Sequence, residues 1–147
     1  MSFVVQGFRL RHEDPGPTYR EADYTRPQPP EFYMTDKRLV MTTAGSPGEA
    51  RNLANVLVER QLAACVSILP SVSSIYRWKG EVAEAEEVLL LIKTTEAAFD
   101  RVYQTVRELH SYQNPECISL SIDQGSVDYL KWIEESVNLS ANAKSEF

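Results

Sequence analysis

The chain predicts an α+β fold: two β-α-β units in series, with one more helix behind them. Three observations carry that prediction. Two stretches of helical period each stand between strand-like apolar runs. A Lys79-Gly80 pair separates two long strand-like arms between Leu62 and Lys93, the signature of a tight reversal. Residues 1–36 show neither period, so the organised part begins at Lys37.

The bulk numbers set the frame. A chain of 147 residues with 43% apolar and 24% charged residues can bury one real core and carry an appendage. Its net charge of -6 argues against nucleic acid as a partner, because a duplex-binding module shows a basic face. No apolar run reaches the roughly 18 residues of a membrane span, so no membrane partner is expected. Cys65 and Cys117 form no C-x-x-C pair and no disulfide framework.

Residues 1–36 hold Pro15, Pro17, Pro27, Pro29 and Pro30 among charges and scattered aromatics. Such a segment buries too little apolar surface to offset its ordering entropy, and it reads as a flexible tail. Pro27 and Pro30 give one P-x-x-P match, and Met34 offers an alternative start. The opening MSFVVQGFRLRHEDPG is too short in apolar residues for a signal peptide. Glu13, Asp14, Glu21 and Asp23 do not suit a transit peptide, so the expected compartment is the cytoplasm.

Arg38 to Thr43 reads as a short buried strand. Ser46 can cap the helix that follows, Pro47 suits its first position, and Glu49 stands where a capping box needs it. Ala50, Leu53, Ala54, Leu57 and Val58 then make one apolar face, and the helix should reach about Leu62. Ala64 to Lys79 is a strand with a break at Pro70-Ser71, which belongs at a bulge or on an edge because proline lacks an N–H. Glu81 to Lys93 returns. Its first half carries Glu81, Glu84, Glu86 and Glu87, read as a solvated edge. Its second half, Val88 to Ile92, is apolar at every position and therefore covered on both faces.

Thr94 or Thr95 can cap a second helix with Phe99, Val102, Tyr103, Val106 and Leu109 on its apolar face, and His110 falls at its end. Glu116 to Ile122 alternates, with Ile118, Leu120 and Ile122 inward and Cys117, Ser119 and Ser121 outward. Gly125-Ser126 opens a last helix with Leu130, Ile133 and Val137 on one side, and residues 139–147 read as a polar tail. With right-handed crossovers, this order gives a ferredoxin-like sandwich over residues 37–138, helices on one face of an antiparallel sheet in order 4-1-3-2. Cys65 and Cys117 then lie on opposite edges, roughly 14 Å apart, beyond bridging reach.

Four blocks carry a family resemblance: Leu62 to Val66, Ser74 to Gly80, Val88 to Lys93, and Tyr129 to Trp132. Over about residues 38–138 the chain resembles the CutA proteins, named for divalent-cation tolerance. The resemblance implies a tight homotrimer in which long hairpins pair across subunits, a likeness to PII signalling proteins, and an association with copper or another divalent cation. It implies no enzymatic reaction. The family usually ends its second helix in His-Pro-Tyr-Glu, where this chain has His110-Ser111-Tyr112-Gln113. Some bacterial members place a cysteine at Thr42 and a second histidine at Leu109. A copper site on those ligands keeps His110 alone in each chain.

The candidate residues have competing readings. Cys65 is a thiolate for a soft metal, or a small hydrophobe in a strand. His110 is a metal ligand shared between subunits, or a helix-terminal histidine pairing with carbonyls. Lys93, Tyr112 and Glu116 match family positions at the inter-subunit cleft, where they would hold a small anion or other ligand, or satisfy buried interface groups. Tyr76, Trp78 and Trp132 read as trimer-interface anchors. A PII-like sensor or interaction scaffold is the alternative function. An acylphosphatase-like enzyme lacks its phosphate loop, since Pro47 removes an N–H and Arg51 is the nearest following arginine. An RNA-binding sheet lacks its aromatic strand motif. No nucleophile–base pair stands out, so no catalytic residue is assigned.

Overall fold

The computed structural model describes residues 35–142. Most of the expected N-terminal tail, Met34 and residues 143–147 lie outside the described residues. The elements run β1 (Lys37–Ala44), α1 (Pro47–Glu59), β2 (Cys65–Trp78), β3 (Glu81–Thr95), α2 (Phe99–Leu109), β4 (Ile118–Ser121) and α3 (Val127–Ser136). They form one antiparallel sheet in the order β2-β3-β1-β4, the ferredoxin-like arrangement. Among the described residues no helix is long and apolar enough to cross a membrane.

One face of the sheet carries the core. Val40, Ala44, Val88, Leu90 and Ile92 point to α1 and α2, where Leu53, Leu57, Val102 and Val106 complete a single buried cluster. Ser46 accepts the Glu49 N–H and caps α1, with Pro47 at its start. The helix stops at Glu59, short of Leu62. Gln61 takes a left-handed φ of 55°, and the Leu62 N–H returns to the Leu57 carbonyl while Gln61 N–H returns to Val58. That pair of bonds is a Schellman closure on a residue that is not glycine. At the start of α2, Thr94 is buried and its hydroxyl donates to the Leu62 carbonyl at 2.6 Å, so it does not cap. Thr95 precedes a 3-10 turn, Glu96–Ala98, without a side-chain capping bond.

The hairpin outruns the sheet. β1 pairs with β3 only as far as Ala44 opposite Val88, so Glu81–Glu87 and their β2 partners have no third strand beside them. Seven residues at strand rise project about 23 Å. The expected break is a bulge: Pro70 and Ser71 stand between the Leu69–Leu89 and Val72–Glu87 pairs, on an edge strand. At the tip Lys79 (φ 49°) and Gly80 (φ 84°) both take positive φ, the form that matches strand twist.

Two expectations about faces are corrected. β4 alternates, but Val40 lies opposite Ser119 and Met41 opposite Ile118. The serines therefore share the helix side, Ile118 and Leu120 face away from it, and Cys117 packs against the core cluster. The helices do not all share one face either. Lys37, on the side away from α1 and α2, reaches Glu134 of α3 at 3.7 Å, and Tyr129 feels the thiol of Cys65 on that same side. Ile133 is fully buried yet stands outside the helix-side cluster. So α3 covers one end of the second face.

Both ends of the described residues are tied down by hydrogen bonds. Thr35 donates to the Ile122 carbonyl, and the Asp36 carbonyl accepts from Glu96 N–H at 2.6 Å. Beyond α3, Asn138 N–H donates to Gln61, Leu139 packs on the core, and Arg101 donates to the Leu139 carbonyl at 2.8 Å. Leu139–Asn142 forms a 3-10 turn.

Candidate functional site

Beyond the part covered by α3, the second face is apolar and open. Leu39, Met41, Leu89 and Leu91 of the central strands are flanked by Leu69 on β2 and by Ile118 and Leu120 on β4. Leu69, Ile118 and Leu120 are all at least 39% exposed. At the end away from α3, where the hairpin leaves the sheet, this face opens into a cleft of about 670 Å³. Ser74, Tyr76 and Trp78 of β2 and Glu87 of β3 form one side. The loop from Tyr112 to Glu116 forms the other.

That loop is held by the end of α2. The His110 side chain is fully covered. Its Nε2–H donates to the Thr43 carbonyl at 2.6 Å, so a proton sits on Nε2, and Nδ1 stands 3.0 Å from the Tyr112 N–H. Glu49 Oε1 stands 3.2 Å from the same Nδ1. Glu49 also accepts the Ser111 N–H at 2.8 Å and the Ser111 hydroxyl at 2.9 Å. Burial pushes the Glu49 carboxyl upward. The Ser111 bonds, the His110 ring and the Gly45 N–H outweigh it, and the net position is below the usual 4.5. The residue read as half a capping box thus spans from α1 to the far end of α2.

Tyr112 then lies against Gly45. A Cβ there would meet the Tyr112 hydroxyl oxygen at 3.1 Å, so the close approach favours glycine. The hydroxyl donates to Glu87, and burial, then that bond and its charge, raise the phenol above its ordinary value of 10.0. Glu87 is 8% exposed, unlike the other acids of its strand. It is the first residue of the open face beyond the end of β1, so the loop closes over it. Sequence reading placed it in the solvated edge. Its parity with Leu89 and Leu91 was the available signal.

The sequence-derived candidates divide between two places. Tyr112 and Glu116 meet Tyr76 and Trp78 in the cleft of a single protomer. Lys93 does not join them: it pairs with Cys65 and Leu39 at the α3 end, with its Nζ toward Ser67. Trp132 lies on α3 with its ring 5.5 Å from Tyr129. Cys65 and His110 are also apart, since four residues and two strand spacings separate Cys65 from Thr43 by on the order of 16 Å. Cys117 is no better placed, because burial and then Glu116 push its thiol up to about 11.

A copper or other divalent site on these residues therefore does not fit one protomer. Both ring nitrogens of His110 are engaged and covered. Thr42 is buried on the helix side and Leu109 packs on the core. No group of three or more His, Cys, Asp or Glu side chains is placed to hold a metal among the described residues.

Known proteins match this architecture over the same span. The family described as "CutA1 divalent ion tolerance protein" matches residues 38–136. The divalent-cation tolerance protein CutA of Thermus thermophilus is 47% identical over 100 residues, which cover 68% of this chain and 97% of that protein. A CutA homolog of Xenopus laevis is 48% identical over 88 residues, 60% of this chain, and the match spans 58% of that longer protein. The solved Thermus thermophilus CutA1 structure superposes with a TM-score of 0.69 at 46% identity, covering 69% of this chain and 99% of that one. The chain belongs to the CutA1 divalent ion tolerance family.

Proposed function

We propose that this chain works as a non-enzymatic homotrimer whose ligand site is the cleft at the base of the hairpin. One observation carries the reading: a hairpin with about seven residue pairs beyond the sheet, joined to an open apolar face, with no other element among the described residues to cover either. A second and third copy of the chain are the proposed cover, and the number three comes from the family resemblance. Trp78 and Tyr76 would then stand where neighbouring copies meet, and the cleft would gain a wall from a neighbour. Two unpaired thiols suit a reducing compartment, so the cytoplasm is the proposed location.

Divalent-cation tolerance is the family's name, and direct copper holding by Cys65 and His110 is the weaker reading because neither ring nitrogen of His110 is free. Two measurements test the proposal. Leu120→Glu places a charge on the open face and should shift light scattering after gel filtration from the assembled mass toward the protomer; an unchanged mass counts against the face as the interface. Calorimetric titration with Cu(II), Cu(I) and Zn(II) should give the same heats for the wild type and His110→Ala. Binding lost with His110 would restore the metal reading.

A further inference from the structure

The lining of the cleft argues for a ligand of one charge sign. Glu87 and Glu116 bring two carboxylates to it, Tyr76, Trp78 and Tyr112 bring three aromatic rings, and among the described residues no Lys, Arg or His lines it. Neither carboxylate is in an ion pair among the described residues. Glu87 is the more telling. A carboxylate covered to this degree (8% exposed) is unfavourable without a counter-charge, and a tyrosine hydroxyl supplies only a neutral donor. An anion entering here would meet two like charges and no cation among the described residues of this protomer. A bare divalent ion would meet two carboxylates beside the Thr43, Ser74, Gln113 and Asn114 side chains, with no thiolate or imidazole for a soft metal and no group of three or more His, Cys, Asp or Glu placed to hold a metal among the described residues.

Cationic organic groups fit both halves of the lining. An ammonium takes charge-assisted hydrogen bonds from carboxylates and rests its methylene carbons and charge on aromatic faces. A volume of about 670 Å³ is that of a small-molecule site. At the hairpin tip Lys79 keeps its Nζ 6.0 Å from the Trp78 ring centroid and Arg77 donates to the Gly80 carbonyl, and neither lines the cleft. We propose that the cleft binds a small organic ammonium, with Glu87 and Glu116 pairing the charge and Tyr76, Trp78 and Tyr112 packing on the carbon chain. This rests on the cleft being the ligand site, and it replaces the small anion expected from sequence with a cation.

The test is titration of the full chain with butane-1,4-diamine, tetramethylammonium chloride and sodium phosphate, followed by calorimetry and by ligand-observed NMR saturation transfer. Sedimentation of the same samples reads assembly separately, so loss of the trimer is not mistaken for loss of the site. Saturable diamine binding is expected, with phosphate inert. Glu87→Gln keeps an acceptor for Tyr112 and removes the charge, and should weaken diamine binding roughly tenfold or more. Glu116→Gln, on the loop, should weaken it by a smaller factor, while Lys93→Gln at the other end should leave it unchanged. Tetramethylammonium, which cannot donate hydrogen bonds, should bind more weakly than the diamine and lose less on Glu87→Gln. No saturable diamine binding up to about 10 mM, a range that would detect even a weak site, overturns the proposal. So does phosphate binding in the cleft, or an affinity for diamine that Glu87→Gln leaves intact in a protein of unchanged assembly.

Discussion

Glu49→Ala should loosen the loop that carries Tyr112 and Glu116, and its cost follows from the geometry. The carboxylate accepts two bonds from Ser111, at 2.8 and 2.9 Å, and faces His110 Nδ1 at 3.2 Å. Bonds to a charged group contribute roughly 1.5–3 kcal/mol each when well covered. The Glu49 side chain is only 14% exposed, yet Ser111 is on the surface, so solvent competes for its share. The expected loss is about 2–3 kcal/mol, and about half that for Glu49→Gln, which keeps one acceptor oxygen. The sign with pH follows from the direction of the shift. A carboxyl held below its ordinary 4.5 stabilises the fold fully above that value and loses the effect as pH falls through the lowered folded value. Urea denaturation of wild type and Glu49→Ala should therefore differ most at neutral pH and converge as the pH falls from 4.5 through the lowered folded position. A difference under about 0.5 kcal/mol at pH 7, or one that grows on acidification, would refute the tether.

Other outcomes follow from single residues. Gln61→Gly should raise stability by up to about 1 kcal/mol in urea, because it relieves a left-handed side chain at the end of α1; a destabilised variant would mean the side chain matters more than the backbone. With Cys65→Ser leaving Cys117 as the single thiol, alkylation at pH 7.5 should run about 100-fold below that of a thiol at 9.0, because the Cys117 thiolate forms only near 11; a rate like that of a small thiol contradicts its burial. Trp78→Ala should weaken assembly more than Trp132→Ala, since Trp78 stands on the projecting hairpin and Trp132 packs on Tyr129 of its own helix; equal losses in a dilution series would reject that ranking.

Much of the fold was legible because periods and turn residues carry it. Leu53 and Leu57 on α1, Val102 and Val106 on α2, and the Lys79-Gly80 reversal need no tertiary information. What sequence could not say was which side of a sheet a strand presents. The alternation of Ile118 and Leu120 is the same whether the apolar side meets helices or another copy of the chain, and register with Met41 and Leu39 decides it. Helix ends were equally local matters: Gln61 closes α1 in a conformation usually left to glycine, and Thr94 spends its hydroxyl on Leu62.

The site was legible in pieces. Tyr112, Glu116, Tyr76 and Trp78 were singled out separately, two for a cleft and two for an interface, and the folded protomer brings all four to one opening. Glu87 was hidden among Glu81, Glu84 and Glu86, because its burial depends on a loop 25 or more residues away in sequence closing over the end of β1. Lys93 and Cys65 went to the other end because strand register counts in residues, and four of them are already about 13 Å. His110 turned inward, where a backbone carbonyl and a backbone N–H use both its nitrogens.

The most direct test of the whole account is sedimentation equilibrium of the full chain at micromolar concentration. A single species at three times the 16.7 kDa protomer mass is the predicted result. A stable monomer would leave the hairpin and the open face without cover, and would contradict the assembly on which the proposed function stands.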